Sequence, residues 1–222
     1  MANTKITNHV YQVGGAELTG PEDSAVYIIK NNEKTILIDS GTGVYHKQLI
    51  DNIESIPVDS KTINTLFLTH CHYDHVGGAK KLKNELKLQT IAHELDAPYI
   101  ETGDNQVSAA NWYYTTLTPC PIDLKIQGKL NEFMIGSLKI EAYHIPGHSP
   151  GSLVYLFYEN NLKILFGQDI HGPLHPKILS NEKDYKASLE LLINLEADIL
   201  CEGHYGIYEG KEKVKNFITS YL

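Results

Sequence analysis

A short histidine-rich segment constrains this chain most. Residues 69–78 read THCHYDHVGG, so three histidines and one aspartate fall within six positions. The segment follows an apolar run at 65–68, which predicts a buried strand, and precedes a predicted helix over 79–86. A core histidine is ordinarily isolated and satisfied by one partner, so packing does not account for such a cluster. The chain must therefore fold so that one strand end holds several polar side chains together.

The spacing within this segment predicts a metal site. His70 and His72 are two positions apart, and an extended backbone points both side chains the same way. If the chain then turns at Gly77 and Gly78, Asp74 and His75 can face a second, adjacent position. Imidazole and carboxylate are ligands that suit zinc, with iron and manganese as competitors.

Three later segments each carry one more candidate ligand at the end of a predicted strand. His148 lies in the turn IPGHSPGS, Asp169 follows the apolar run ending at Phe166, and His204 lies in CEGHY. Any one of these residues alone would be a weak signal. Their joint occurrence after a histidine cluster predicts that ligands from the whole chain meet at one centre.

The remaining sequence reads as two halves, each with strands and interleaved helices. Strands are predicted at 10–13, 25–29, 35–38, 65–68, 90–92, 133–135, 138–142, 153–158, 163–166 and 198–201, and helices at 44–56, 79–86, 94–100, 182–195 and 210–222. This order favours the α/β class, as an αββα sandwich of two mixed sheets flanked by helices. No segment resembles a linker, so residues 1–222 are expected to form a single domain.

Composition restricts the partners. The net charge is -8, and all 19 basic residues are lysine, which argues against nucleic acid as a partner and removes every guanidinium fork for anions. Neither a signal peptide nor an apolar run of membrane-spanning length is visible, and the three cysteines are widely spaced. We therefore expect a cytoplasmic protein without a membrane partner that acts on a small molecule, and a homodimer stays open.

These motifs resemble those of the metallo-β-lactamase-fold superfamily, in its glyoxalase II-like and lactonase-like branch. The resemblance rests on HxHxDH at 70–75, the GHSPGS turn, Asp169, His204, and the strand ILIDSG that contains Asp39. It implies the αββα fold and two metal positions. His70, His72 and His148 resemble the ligands of the first position, Asp74, His75 and His204 those of the second, and Asp169 the carboxylate that bridges them. Asp39 resembles a buried aspartate that orients a ligand loop by hydrogen bonding.

The same resemblance implies an enzyme: a metallo-hydrolase with two divalent ions, zinc being the first choice and iron or manganese the alternatives. Its nucleophile is a hydroxide held between the ions, and Asp74 is a catalytic residue that can orient this hydroxide or carry its proton. The substrate class is a small thioester, ester or lactone, and the absence of arginine favours a weakly charged one. One alternative is a mononuclear iron persulfide dioxygenase with iron on His70, His148 and Asp169. A non-catalytic metal-binding module is the other.

Two segments are candidates for contact with substrate. Residues 101–121 form either a surface loop or a lid, which carries Trp112, Tyr113 and Tyr114, and we expect Tyr113 to face the substrate. His171 and His175 flank Gly172, which stands three residues after Asp169, where lactonases of this superfamily often place a tyrosine. Either histidine is a candidate proton donor to the substrate.

Overall fold

The computed structural model describes residues 2–31, 34–59 and 62–222, and its strands form two sheets. Within these residues the first sheet has seven strands, ordered as they occur in the chain: β1 (Thr4–Lys5), β2 (Val10–Gly14), β3 (Val26–Lys30), β4 (Thr35–Ile38), β5 (Ile63–Phe67), β6 (Gln89–His93) and β7 (Leu124–Ile126). Strands β1 to β4 pair antiparallel and β4 to β7 pair parallel, so the sheet is mixed.

The second sheet is also mixed. Among the described residues it has six strands: β8 (Leu130–Ile135), β9 (Leu138–His144), β10 (Leu153–Glu159), β11 (Leu162–Phe166), β12 (Ile199–Cys201) and β13 (Ile207–Glu209), side by side in the order β13-β12-β11-β10-β9-β8. Of the pairings between these described strands, only that of β11 with β12 is parallel, because helix α5 (Glu182–Asn194) lies between the two strands in the sequence.

Helices cover the outer faces of both sheets. They are α1 (His46–Glu54), α2 (Tyr73–Val76), α3 (Ala79–Leu86), α4 (Ala97–Thr102), α5 (Glu182–Asn194) and α6 (Lys211–Thr219). One apolar layer joins α1, α3 and α4 to the first sheet, a second lies between the sheets, and a third joins α5 and α6 to the second sheet. These three layers confirm the predicted αββα sandwich.

Strand β10 shows how the sequence specifies this layering. Tyr155 and Phe157 point into the layer between the sheets, whereas Val154 and Leu156 point into the layer against α5 and α6. Because both faces of the strand are covered, its sequence is a continuous apolar run and not an alternating one.

The structure departs from the sequence predictions mainly at element ends and short strands. Strands β1, β7 and β13 were not predicted, and the predicted helix at 94–100 is shifted to Ala97–Thr102. The segment 101–121 contains a 3-10 helix at Ala110–Tyr113, and its Val107 and Leu117 are buried in the apolar layer beneath α4. That segment is therefore anchored to the core along part of its length. No helix within the described residues is long and apolar enough to cross a membrane.

Candidate metal centre

The candidate ligands lie in four segments that leave or join strands. His70 and His72 follow β5, His148 lies in the turn between β9 and β10, Asp169 follows β11, and His204 follows β12. Asp74 and His75 belong to the short helix α2 that continues the segment after β5. The fold thus brings together seven side chains that are spread over more than half of the chain.

The seven side chains form two groups that share one carboxylate. His70, His72, His148 and Asp169 form the first group, and Asp74, His75, His204 and Asp169 form the second. Within each group the potential ligand atoms all lie within 4.8 Å of one another. This is the division into two positions that the superfamily resemblance implies, with Asp169 between them.

In the first group the facing atoms are mostly ring nitrogens. His148 Nε2 lies 2.9 Å from His72 Nδ1 and 3.2 Å from Asp169 Oδ2. His70 Nε2 lies 3.8 Å from the same Asp169 oxygen, and it is buried without a hydrogen-bond partner among the described residues. A buried nitrogen with no partner is costly unless another group, such as a metal ion, occupies its lone pair.

Hydrogen bonds behind the rings support this interpretation. The Thr69 hydroxyl donates to Asp39 Oδ2 at 2.7 Å, so its oxygen can accept from His70 Nδ1 at 3.0 Å. The Pro173 carbonyl, which can only accept, lies 3.1 Å from His148 Nδ1. Both contacts place the proton on Nδ1 and leave Nε2 with a free lone pair, which is the tautomer a metal ligand needs.

The second group alternates imidazoles and carboxylates. His204 Nε2 lies 3.1 Å from Asp74 Oδ2 and 3.2 Å from Asp169 Oδ1. His75 Nε2 lies 3.0 Å from Asp169 Oδ1, while His75 Nδ1 lies 2.8 Å from Asp39 Oδ2. Both nitrogens of His75 therefore face carboxylate oxygens.

The two groups differ in charge state when no metal is bound. Burial and the neighbouring histidines hold the pKa of His70 well below its usual range, and burial with His148 lowers the pKa of His72 to about 3. Burial also disfavours protonated His75 and His204. There, however, the nearby carboxylates outweigh it and raise the pKa of His75 well above its usual range and that of His204 to about 10. His70 and His72 of the first group are thus neutral, whereas His75 and His204 of the second are protonated.

Asp39 is hydrogen-bonded both to Thr69, which contacts His70 of the first group, and to His75 of the second. Its carboxylate accepts from the Thr69 backbone N–H at 2.8 Å, in addition to the Thr69 hydroxyl and His75. Asp39 itself has a φ of 62°, a left-handed conformation that aspartate adopts more readily than most residues. One buried carboxylate therefore fixes the start of the histidine segment and one ring of the second group.

A cavity of about 230 Å³ opens beside both groups. His72, Asp74, Asp169 and His204 form its polar wall, and the other lining residues are Ala109, Trp112, Tyr113, His171, Pro173 and Ile178. Burial and then the charges of Asp74 and Asp169 raise the pKa of Tyr113, so its phenol stays protonated and can donate. The cavity thus combines the metal-ligand candidates with an aromatic and apolar wall.

The three residues predicted to face substrate lie in different surroundings. Tyr113 and His171 line the cavity, whereas His175 is exposed, accepts from the Lys177 backbone N–H at 3.0 Å, and has its ring 5.7 Å from that of Trp112. His171 Nδ1 lies 2.9 Å from Glu202 Oε1. The roles of these residues remain predictions.

Sequence reasoning missed Glu202 and the apolar wall of Pro173 and Ile178. Glu202 is fully buried, and its Oε2 accepts from the backbone N–H groups of His204 at 2.6 Å and Tyr205 at 2.8 Å. Its position two residues before His204 was the available signal, because a buried carboxylate beside a ligand commonly orients it.

Two relatives of similar sequence are named as a metallo-hydrolase and a thioesterase. A probable metallo-hydrolase of Bacillus subtilis, YybB, is 25% identical over 226 residues, covering 98% of this chain and 97% of its own length. The human acyl-coenzyme A thioesterase MBLAC2 is 24% identical, with 89% of this chain and 78% of its own length covered.

Solved structures agree on the fold. A metallo-beta-lactamase of Cronobacter sakazakii, a HARLDQ-motif mutant, superposes with a TM-score of 0.84 at 18% identity, covering 100% of this chain and 94% of its own. The class B3 di-zinc metallo-beta-lactamase LRA-12 from an Alaskan soil metagenome gives 0.77 at 24% identity, covering 92% and 78%. A model of the metallo-beta-lactamase superfamily matches residues 19–204. The chain therefore belongs to the metallo-beta-lactamase superfamily.

Proposed function

We propose that this protein is a dinuclear metal-dependent hydrolase of small, weakly charged thioesters, esters or lactones. The observation that carries the proposal is the pair of four-residue donor groups, which share Asp169 and form one wall of the cavity. Isolated metal-binding groups do not need such a cavity, whereas a hydrolase needs one to place its substrate beside the ions.

The donor atoms fit divalent metal ions. His70, His72 and His148 would hold the first ion, Asp74, His75 and His204 the second, and Asp169 would contact both. Nitrogen and carboxylate donors favour zinc, and iron and manganese also accept them. Bound there, the ions would supply Lewis acidity toward a carbonyl oxygen and a lowered pKa for water.

The protein's own groups supply the remaining chemistry. The neighbouring histidines outweigh burial and lower the pKa of Asp74, so this carboxylate is ionised in the cavity wall and can orient an attacking water or accept its proton. Glu202 holds His171 through Nδ1, which leaves His171 Nε2 as the atom available to a substrate. Because the carboxylate takes the Nδ1 proton as a hydrogen bond, Nε2 can donate only when the ring is doubly protonated, and we expect His171 in that form to donate a hydrogen bond or proton to the leaving group.

The aromatic wall is suited to an acyl group. Trp112, Tyr113 and Ile178 offer apolar surface opposite the polar wall, and none of the residues described as lining this cavity is lysine. A substrate with several phosphates or carboxylates would find no cation there besides the ions. The name of MBLAC2 supports a thioester as substrate, while the cavity favours a neutral one.

The completeness of the second group weighs against the dioxygenase alternative. A mononuclear iron enzyme needs one position, but Asp74, His75 and His204 converge as closely as the first group does. Metal analysis distinguishes the hydrolase hypothesis from the dioxygenase hypothesis. We expect about two zinc ions per chain for the hydrolase, whereas one iron with oxygen uptake on a persulfide would contradict it.

The direct test is metal content together with a substrate panel. The zinc-loaded protein is assayed against N-acetylcysteamine thioesters, the matching coenzyme A thioesters, lactones and glutathione persulfide. We expect hydrolysis of the neutral thioester or a lactone that is lost in His148→Ala and His204→Ala. His46→Ala is the matched control, because His46 pairs with Glu85 on the surface. Binding of zinc without hydrolysis of any ester or thioester would refute the proposal.

A further inference from the structure

Asp96 lies between the two loops that carry the histidines of the first group, although no motif marks it. Its Oδ2 accepts from the Cys71 backbone N–H at 2.9 Å and from the Ser149 hydroxyl at 2.6 Å. Its Oδ1 accepts from the Gly151 backbone N–H at 2.6 Å. Cys71 separates His70 from His72, and Ser149 follows His148, so one carboxylate bonds to both loops.

The side chain of Asp96 is used for these loops and not for its own helix. Asp96 stands at the N-cap of α4, where an aspartate normally accepts from backbone N–H groups of the first turn. In this structure it makes no such capping bond and is fully buried. A buried carboxylate is costly unless well bonded, and here all three of its bonds go to the two histidine loops.

The turn after His148 is shaped around Asp96. A Cβ on Gly151 would lie 2.6 Å from the Asp96 backbone nitrogen and 2.8 Å from its Cβ, so only glycine permits this approach. Ser152 accepts from the Ser149 backbone N–H at 3.0 Å, and its hydroxyl lies 2.8 Å from that of Ser149, which holds Ser149 in place. Ser149, Gly151 and Ser152 of the GHSPGS turn thus serve contact with Asp96.

We propose that Asp96 is a positioning residue that sets the spacing between the His70–His72 loop and the His148 loop. It thereby determines metal affinity at the first position and leaves the second unaffected. This inference rests on the metal-binding part of the proposed function. The selectivity follows because the rings of the second group are supported elsewhere, His75 by Asp39 and the His204 loop by Glu202.

Asp96→Asn is the informative variant because it keeps the size of the side chain. In either orientation its amide NH₂ faces at least one N–H or O–H donor that the carboxylate now accepts. Ser149→Ala is a milder second variant that removes a single bond to Asp96. Asp198→Asn is the matched control: Asp198 Oδ2 accepts from the Lys163 backbone N–H at 2.9 Å, at the far ends of β11 and β12.

The test measures zinc affinity by competition with a chromophoric chelator in two backgrounds. His204→Ala leaves the first group complete, and His148→Ala leaves the second complete. We expect Asp96→Asn to weaken zinc binding about 10- to 100-fold in the first background and less than about 3-fold in the second. Ser149→Ala should act in the same direction with a smaller factor, and Asp198→Asn should change neither affinity.

Three results would overturn the inference. They are equal weakening in both backgrounds, weakening confined to the second position, and unchanged affinity in both. If Asp96→Asn does not fold, Ser149→Ala carries the same comparison alone. Failure of the parent protein to bind zinc at all would refute the proposed function instead, so the two failures are distinguishable.

Discussion

Replacing Asp39 by asparagine tests whether one buried carboxylate serves both metal positions. Asparagine is the right replacement because it tolerates the left-handed conformation at this residue, whereas alanine would add backbone strain. Its oxygen can still accept from the Thr69 backbone N–H, but its NH₂ then faces the Thr69 hydroxyl and His75 Nδ1. The hydrogen bonds can re-form only if their directions reverse.

That reversal changes the ring that binds metal. When an NH₂ donates to His75 Nδ1, the proton of the neutral ring moves to Nε2, the atom 3.0 Å from Asp169 Oδ1. A protonated Nε2 cannot bind a metal ion. The Thr69 hydroxyl likewise becomes an acceptor for asparagine and no longer donates to a carboxylate, which weakens its support of His70.

We expect zinc affinity to fall about 10- to 100-fold at both positions, equivalent to about 1.4–2.7 kcal/mol at each. The metal-free protein should lose about 1.5–3 kcal/mol of unfolding free energy, the value of one hydrogen bond to a charged group. Chelator competition and urea unfolding measure the two quantities, with Asp198→Asn as the control.

The contrast with Asp96→Asn makes the prediction specific, since that variant should affect the first position alone. If Asp39→Asn bound two zinc ions with the parent's affinities, the tautomer argument would be wrong. If Asp198→Asn lowered both the stability and the zinc affinity by the same amounts as Asp39→Asn, the loss would reflect general destabilisation. Asp39 would then have no special role at the metal centre.

Three further outcomes follow from the charge states and the cavity. Zinc binding at pH 7.5 should release about two protons, because the raised pKa values of His75 and His204 keep both rings protonated without metal. Calorimetry in two buffers measures the number of protons released, and a number near zero would contradict the prediction. The free energy of unfolding of the metal-free protein should fall by about 1.4 kcal/mol for each pH unit below 6.5 on account of His72. The pKa of this residue is about 3 in the folded protein, so only the unfolded state binds the extra proton. That slope should be shallower in His72→Asn. Trp112→Ala should raise KM for thioesters about 10-fold without changing zinc content, and a loss of zinc would contradict its assignment to the substrate wall.

The convergence of the candidate ligands could be predicted because each lies at the end of a strand that the sequence reveals. His70, His72 and His75 are close in the sequence, so a strand end and one turn are enough to bring them together. His148 and Asp169 are far apart, yet both flank apolar runs that form neighbouring strands of one sheet. Apolar patterning therefore locates the ligands through the strands that carry them.

Residues that act through distant partners could not be found in this way. Asp96 bonds to Gly151, 55 positions away, and nothing in the local sequence distinguishes it from an ordinary helix cap. Strand β7 was missed for a related reason. Two of its three residues are exposed, so it lacks an apolar pattern and is defined by its parallel pairing with β6.

The hydrogen bonds that hold the metal centre span long stretches of chain, and this bears on folding. Cys71 and Asp96 are 25 positions apart, and His75 and Asp169 are 94 apart. Contacts between such distant residues carry a large loop-closure cost and arise late, after the strands that bring them together have formed. A partly folded chain that holds only the HxHxDH segment would present three histidines and no enclosing donors. Metal loading should therefore report on the docking of both sheets, and a nascent chain should take up its ions only once synthesis has passed His204.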